Sequence, residues 1–448
     1  GLFQYSKLKN ALGPSMLVNG TPTCVTVAGD ASTAINGCVP MNFLGGAGTI
    51  TPEMLAYSTF VAHDEYQYTM KQWFANLSGE IVELPGGMLA FAAGLEHRSE
   101  SGYDSPDALI NSGNTTGNAR TATAGSYKLD EAYLELSAPL LRDVFLAREL
   151  ELSVATRYSD YDTFGDTLNS KFGFTWRPMD ELLVRGTYAE GFRAPTISDL
   201  YGGIGSSFES YTDPCGVGAV NSVNGNAACS GAGVPLGYVQ LGQGLVPCTA
   251  YPCQTPDQFI SGSDPNLLPE TSESRTVGVV WSPRWVQGLD FTLDWYKVTI
   301  ENVISDDSVD DILGDCYRLG ISARCEGIVR DPATGAITFM QYGLTNKGAV
   351  ETEGYDFGAK YRLPETAFGK FTFDWQNSYV SYYRIKADDA PDTAWTNYTG
   401  RGPNFRLRSN LGVNWEMGAF AANWTTRYYS GMSEACTRAA ECTDPLYS

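Results

Sequence analysis

The chain has 448 residues and a formal net charge of −21 at pH 7. That balance argues against nucleic-acid binding, which needs a basic surface to neutralise phosphates. No run of about 18 apolar residues occurs, which excludes a helical membrane span but not a strand-built one, whose alternation is hidden from hydropathy averages. The 26 Tyr, 20 Phe and 9 Trp would supply interfacial girdles, and 48 Gly would serve many turns and a close-packed lumen.

Residues 1–63 lack sustained alternation and read as a loop region with one short helix, started by Thr51 as N-cap and Pro52 at the first position. Strands are expected near 66–84 and 88–99, joined at Leu84-Pro85-Gly86-Gly87, then at 129–140, 150–158, 168–177 and 182–192. The second half repeats this grammar near 277–281, 289–296, 348–361, 371–385, 405–415 and 419–429. About twelve strands result, many longer than the roughly five or six residues of a soluble strand. Short turns alternate with long loops near 101–126, 194–270, 305–346 and 388–402. A plain rim opposite an elaborated one suits an antiparallel up-and-down transmembrane β-barrel better than a propeller or sandwich.

Ten cysteines fall as five neighbouring couples in loop-like stretches: Cys24 and Cys38, Cys215 and Cys229, Cys248 and Cys253, Cys316 and Cys325, Cys436 and Cys442. An even count confined to loops suggests local disulfides in an oxidising compartment. No couple has CxxC spacing or paired histidines, so zinc is disfavoured, and no cofactor is expected.

The stretch Leu182–Tyr201, LLVRGTYAEGFRAPTISDLY, organises the rest. Leu182, Val184, Tyr188 and Phe192 share one face, while Arg185, Thr187, Ala189 and Arg193 share the other, as in a wall between lipid and water. Pro195 ends the ladder and a Gly-, Ser- and Cys-rich loop begins.

This stretch resembles the signature of TonB-dependent outer-membrane receptors, carried by Arg185, Gly186, Tyr188, Glu190, Gly191, Phe192, Arg193, Ala194 and Pro195. Leu268-Pro269-Glu270-Thr271-Ser272, Ile300-Glu301-Asn302-Val303-Ile304 and Glu351-Thr352-Glu353-Gly354-Tyr355-Asp356-Phe357 are similar to further motifs of that family, in order between about residues 64 and 430. The resemblance implies a 22-stranded barrel in the outer membrane of a Gram-negative bacterium, closed by the protein's own plug domain. It also implies uptake powered by TonB with ExbB and ExbD through a TonB box, a small solute ligand, and a surface lipoprotein as a further candidate partner. Plug, TonB box and final strands are not in this sequence, so the chain is expected to be part of a longer receptor. The expected division is an extracellular region at 1–63, barrel at 64–430, and a last extracellular loop at 431–448.

The loop from Ala194 to Ser274 carries seven carboxylates and no Lys or Arg. Its aromatics Tyr201, Phe208, Tyr211, Tyr238, Tyr251 and Phe259 are the candidate ligand contacts, which favours a peptide or oligosaccharide over an anionic siderophore, with siderophore and cobalamin left open. Arg157, Arg185, Arg406 and Arg408 fall on polar strand faces and are expected to pair structurally in the lumen. Asp306, Asp307, Asp310, Asp311 and Asp315 read as hydrated surface charge. Two histidines, and no nucleophile elbow or P-loop, give catalysis no support. The alternatives are a passive porin and a secreted β-rich carbohydrate-binding protein or hydrolase.

Overall fold

A computed structural model describes residues 2–219, 221–248, 252–389 and 393–433. Twelve strands form one continuous antiparallel wall in which neighbours in space are neighbours in sequence. They are β1 (Glu65–Leu84), β2 (Gly87–Ser105), β3 (Thr123–Val144), β4 (Ala147–Tyr161), β5 (Gly165–Met179), β6 (Leu182–Arg193), β7 (Glu270–Trp281), β8 (Leu289–Glu301), β9 (Ala349–Arg362), β10 (Lys370–Lys386), β11 (Leu407–Met417) and β12 (Phe420–Tyr429). β1 and β12 are the outermost strands of the wall.

Period-2 alternation puts one residue set in lipid and the other in the lumen. One cross-strand row, Leu182, Trp281, Phe291, Ala359, Trp375 and Leu411, is apolar and faces outward. A row of the opposite parity, Arg185, Gly278, Asp294, Asp356, Ser378 and Arg408, is polar and faces inward. At the plain rim, indole N–H groups tie down two turns: Trp176 donates to the Leu146 carbonyl at 2.9 Å and Trp415 to that of Phe368 at 2.5 Å.

The strands outrun their expected limits at several points. β2 continues to Ser105 and β3 starts at Thr123, so the supposed loop at 101–126 is partly ladder. β3 passes through Pro139 because the register shifts there, and a bulge tolerates the missing N–H. The rule of long loops on one rim also has an exception, since β4 and β5 are joined only by residues 162–164.

The elaborated rim carries a folded cap rather than irregular loops. Helices α1 (Tyr5–Ala11) and α2 (Pro52–Ser58) accompany the Cys24–Cys38 disulfide, around a small core of Ala11, the two cysteines and Met41. α2 starts as the sequence predicts, with the Thr51 hydroxyl accepting from Met54 N, whereas α1 was not foreseen. This unit joins the β2–β3 loop, where Tyr5 N donates to Asn114 O at 3.0 Å. That loop in turn joins the β6–β7 loop, through Thr121 N to Ile204 O and Ser206 N to Ala119 O, each at 2.9 Å. Gly205–Ser207 pairs with Phe259–Gly262, which runs parallel to Ile337–Asn346 of the β8–β9 loop. Ile304–Asp307 and Ile328–Arg330 complete this second sheet.

Candidate functional site

The signature stretch forms the root of the cap. Where β6 leaves the wall, the Arg193 guanidinium donates two 2.8 Å hydrogen bonds to Glu270 at the start of β7. Glu270 also accepts from Ile304 N at 2.9 Å, so one carboxylate holds β6, β7 and the β8–β9 loop together. Arg193 reaches Asp199 too, in the first turn of α3 (Ile197–Tyr201), where Thr196 and Asp199 cap each other's backbone N–H groups. Ala194 and Pro195 are the link between strand and helix.

Just below, the β5–β6 ladder stops at Lys171 and Ala189, although both strands continue. The Glu190 carboxylate takes over for a carbonyl and accepts from Ser170 N at 3.1 Å. The Tyr188 hydroxyl donates to Glu190 and Glu273, at 3.2 and 3.3 Å. Phe192 meets Tyr161 edge-on across the split, with ring centroids 5.9 Å apart. The two signature glycines sit where neighbours come close: a Cβ at Gly186 would lie 2.3 Å from the Phe174 ring, and one at Gly191 2.9 Å from Ser272 Oγ.

Above the root, the β6–β7 and β8–β9 loops share one core. Tyr211, Tyr238 and Phe259 are only 2%, 6% and 0% exposed and pack with Leu313, Ile337 and Met340. These three aromatics therefore build the core of the cap, for a simple reason: a segment stiffened by Cys215–Cys229 and Cys248–Cys253 still needs apolar filling. Tyr201 covers the backbone of Gly125, Phe208 is 38% exposed, and Tyr251 lies outside the described residues. Burial pushes the Tyr211 and Tyr238 hydroxyls up from their usual titration range. Burial, reinforced by the 2.5 Å hydrogen bond to Glu209, pushes Tyr342 up to about 12.

The β6–β7 loop has no cation of its own, so one arrives from the β8–β9 loop. Arg330, which is buried, forks onto the buried Asp213 at 2.7 and 2.9 Å and donates to the Tyr317 hydroxyl at 2.9 Å. The acidic run at 306–315 is not uniformly hydrated charge as expected. Asp307 is buried between Arg324 and Lys347, Asp311 holds Lys347 at 2.9 Å, and Asp315 holds Arg324 at 3.0 Å. Asp310 accepts from Thr212 N at 2.8 Å. The cations that neutralise this run lie up to forty residues away in sequence, beyond any local reading. Cys316–Cys325 pins the same region, and Cys436 and Cys442 lie outside the described residues.

In the lumen, Arg185 reaches Asp294 at 2.9 Å and Arg157 reaches Glu131 at 2.9 Å. Arg406 donates to Ser381 O at 3.3 Å, and Arg408 lies over the Phe405 ring at 5.5 Å. Below the cap root lies a hollow of about 330 Å³, lined by Tyr133, Glu135, Arg157, Asn169, Lys171 and Gly191 among others. Of these only Arg157 and Gly191 stood out in the sequence, because Glu135 and Lys171 are ordinary polar members of alternating strands. Among the described residues no group of His, Cys, Asp and Glu could hold a metal ion.

The "TonB dependent receptor-like, beta-barrel" family model matches residues 28–439. A protein named hemin receptor, from Yersinia pestis, is 29% identical over 119 residues, covering 24% of this chain and 18% of that protein. Among solved structures, a variant of the ferric enterobactin receptor of Pseudomonas aeruginosa, in complex with enterobactin, superposes with a TM-score of 0.50 at 13% identity. The match covers 84% of this chain and 43% of that one. The siderophore receptor PirA of Acinetobacter baumannii gives 0.49 at 11% identity, covering 82% and 44%. The chain thus spans less than half the length of these receptors, and at such identity the likeness concerns the fold alone. With nearly its whole length matched, this chain belongs to the TonB-dependent receptor family, the transport receptors of the Gram-negative outer membrane.

Proposed function

We propose that the whole protein captures a scarce iron chelate of the siderophore or haem type at the cell surface and admits it by energy-coupled transport, with this chain supplying barrel wall and extracellular cap. The observation that carries this reading is the cap itself. Separate loops share one buried core and one sheet, rooted on the wall through Arg193 and Glu270. A rigid, elaborated rim suits selective capture, because sites favour loops held by a firm scaffold.

The cargo class rests on the hemin-receptor relative, and nothing comparable supports the peptide or oligosaccharide suggested by loop composition. A passive pore would have no use for such a cap, and a secreted β-rich hydrolase would not need an outward apolar band of Trp281, Phe291 and Trp375. Residues 1–63 and the long loops are assigned to the outside, and the wall strands between 64 and 430 to the membrane. Partners in this reading are the protein's own plug, TonB with ExbB and ExbD, and a surface lipoprotein, while Phe208 and Tyr201 are the remaining described loop aromatics for ligand contact.

The test is growth of an iron-starved host carrying the full-length gene, with haemin or ferric enterobactin as sole iron source, in TonB-proficient and TonB-deficient backgrounds. TonB-dependent growth on either chelate supports the proposal. Equal growth without TonB would point to a passive pore, and growth on neither would remove the iron-chelate assignment.

A further inference from the structure

We propose that the lumen hollow between β3 and β6 is a binding station for a carboxylate on the cargo, with Lys171 as the anchoring cation. This rests on the iron-chelate reading above and adds a residue and a ligand chemistry to it.

Three observations converge on this place. First, the elaborated rim is lowest here: β4 and β5 are connected by only residues 162–164, whereas the β6–β7 and β8–β9 connections on that rim are folded into the cap. Second, the β5–β6 ladder ends at Lys171 and Ala189, and the hollow opens where the strands part. Third, the charges in the hollow are not settled among themselves. Arg157 is engaged by Glu131, but Lys171 and Glu135 have no hydrogen bond or ion pair among the described residues.

Their placement can be read from the register. Glu135 is opposite Ala155, and Ala155 is opposite Lys171, so the two charges flank one intervening strand. Arg185 and Asp294 have the same relation across Gly278, and there the pair closes at 2.9 Å. There the closing side chains lie over a bare backbone: a Cβ at Gly278 would lie 1.9 Å from Asp294 Oδ1. Ala155 has that methyl. The backbones of Glu135 and Lys171 are two strand spacings apart, roughly 10 Å, and their side chains form no ion pair. An ammonium with no partner among the described residues, on a wall otherwise rich in internal pairs, attracts an anion, and the carboxylate arms of an iron chelate are anions of suitable size. Glu135 orients the solute by repelling its anionic edge toward Lys171.

The experiment uses the full-length receptor in detergent, with haemin and haemin dimethyl ester as probes and absorbance titration as readout. Lys171→Ala should weaken haemin binding about tenfold or more, the usual consequence of losing a charge-assisted hydrogen bond, and leave the ester unaffected. Glu135→Gln should tighten haemin binding. Semi-native gel mobility confirms that each variant barrel is folded. Equal haemin affinity in wild type and Lys171→Ala would overturn the station while leaving the uptake reading intact. Failure of the wild type to bind haemin at all would overturn the cargo reading, and the station with it.

Discussion

Arg185 and Asp294 lie on strands that do not touch, yet their ion pair closes at 2.9 Å across Gly278 of the strand between them. The glycine is thus part of the contact. Gly278→Ala should force the fork off Asp294 and cost about 1–3 kcal/mol, as overpacking of a close approach does. The check is the temperature at which the folded band disappears on a semi-native gel, which should fall. An unchanged transition would mean that the wall absorbs the methyl elsewhere.

Arg330 and Asp213 are the buried stitch between two loops. Arg330→Met removes the cation and strands a carboxylate in an apolar core, with an expected cost of about 3–5 kcal/mol to cap stability. Arg330→Met combined with Asp213→Asn should recover part of it. Hydrogen exchange of 309–317 and 337–346 reports this directly, and protection equal to wild type in the single variant would refute the assignment.

Arg193→Lys keeps the charge but loses the fork that grips Glu270. About 1.5–3 kcal/mol should be lost at the cap root. Limited proteolysis should then cut within 197–268 faster while the wall keeps its mobility on semi-native gels. Loss of wall mobility as well would show that Arg193 holds the barrel rather than the cap.

Tyr342 titrates up to about 12 instead of 10 because it is buried and donates to Glu209. A phenol whose folded value is raised favours the fold while protonated. Its contribution is therefore complete below pH 10 and disappears as pH rises through 12. Tyr342→Phe should abolish this part of the alkaline dependence of cap stability, measured as protease resistance between those limits. An identical alkaline profile in the variant would remove Tyr342 from the account.

The wall was legible because alternation over ten or more residues is hard to imitate, and the existence and order of β6 through β9 follow from it. The cap was not. Its strands are as short as the three residues of Gly205–Ser207, and they pair with segments from other loops, so nothing local announces them. Tyr211 and Phe259 look the same in sequence whether they meet a ligand or a core; only Leu313 and Met340, from a different loop, decide the matter. Lys171 and Glu135 were invisible for the opposite reason: polar residues at alternate positions are what any lumen strand contains. Strand glycines were legible only as composition. Gly94, Gly278 and Gly354 each lie beneath a side chain from a neighbouring strand, the close lumen packing that the glycine content suggested without naming positions.

The described disulfides each close within 5 to 14 residues, whereas the cap's sheet joins segments on either side of the β7–β8 hairpin. Local crosslinks can form in an extended chain as it crosses the oxidising periplasm. The parallel pairing of 260–262 with 341–343 has to wait until that hairpin stands in the wall and brings its two flanks together. The two kinds of tie therefore differ in what they require: each crosslink needs only a short local segment, and the cap's sheet needs the hairpin in place. A lesion in the hairpin, far from any loop, would then disturb the cap's sheet and leave the crosslinks intact.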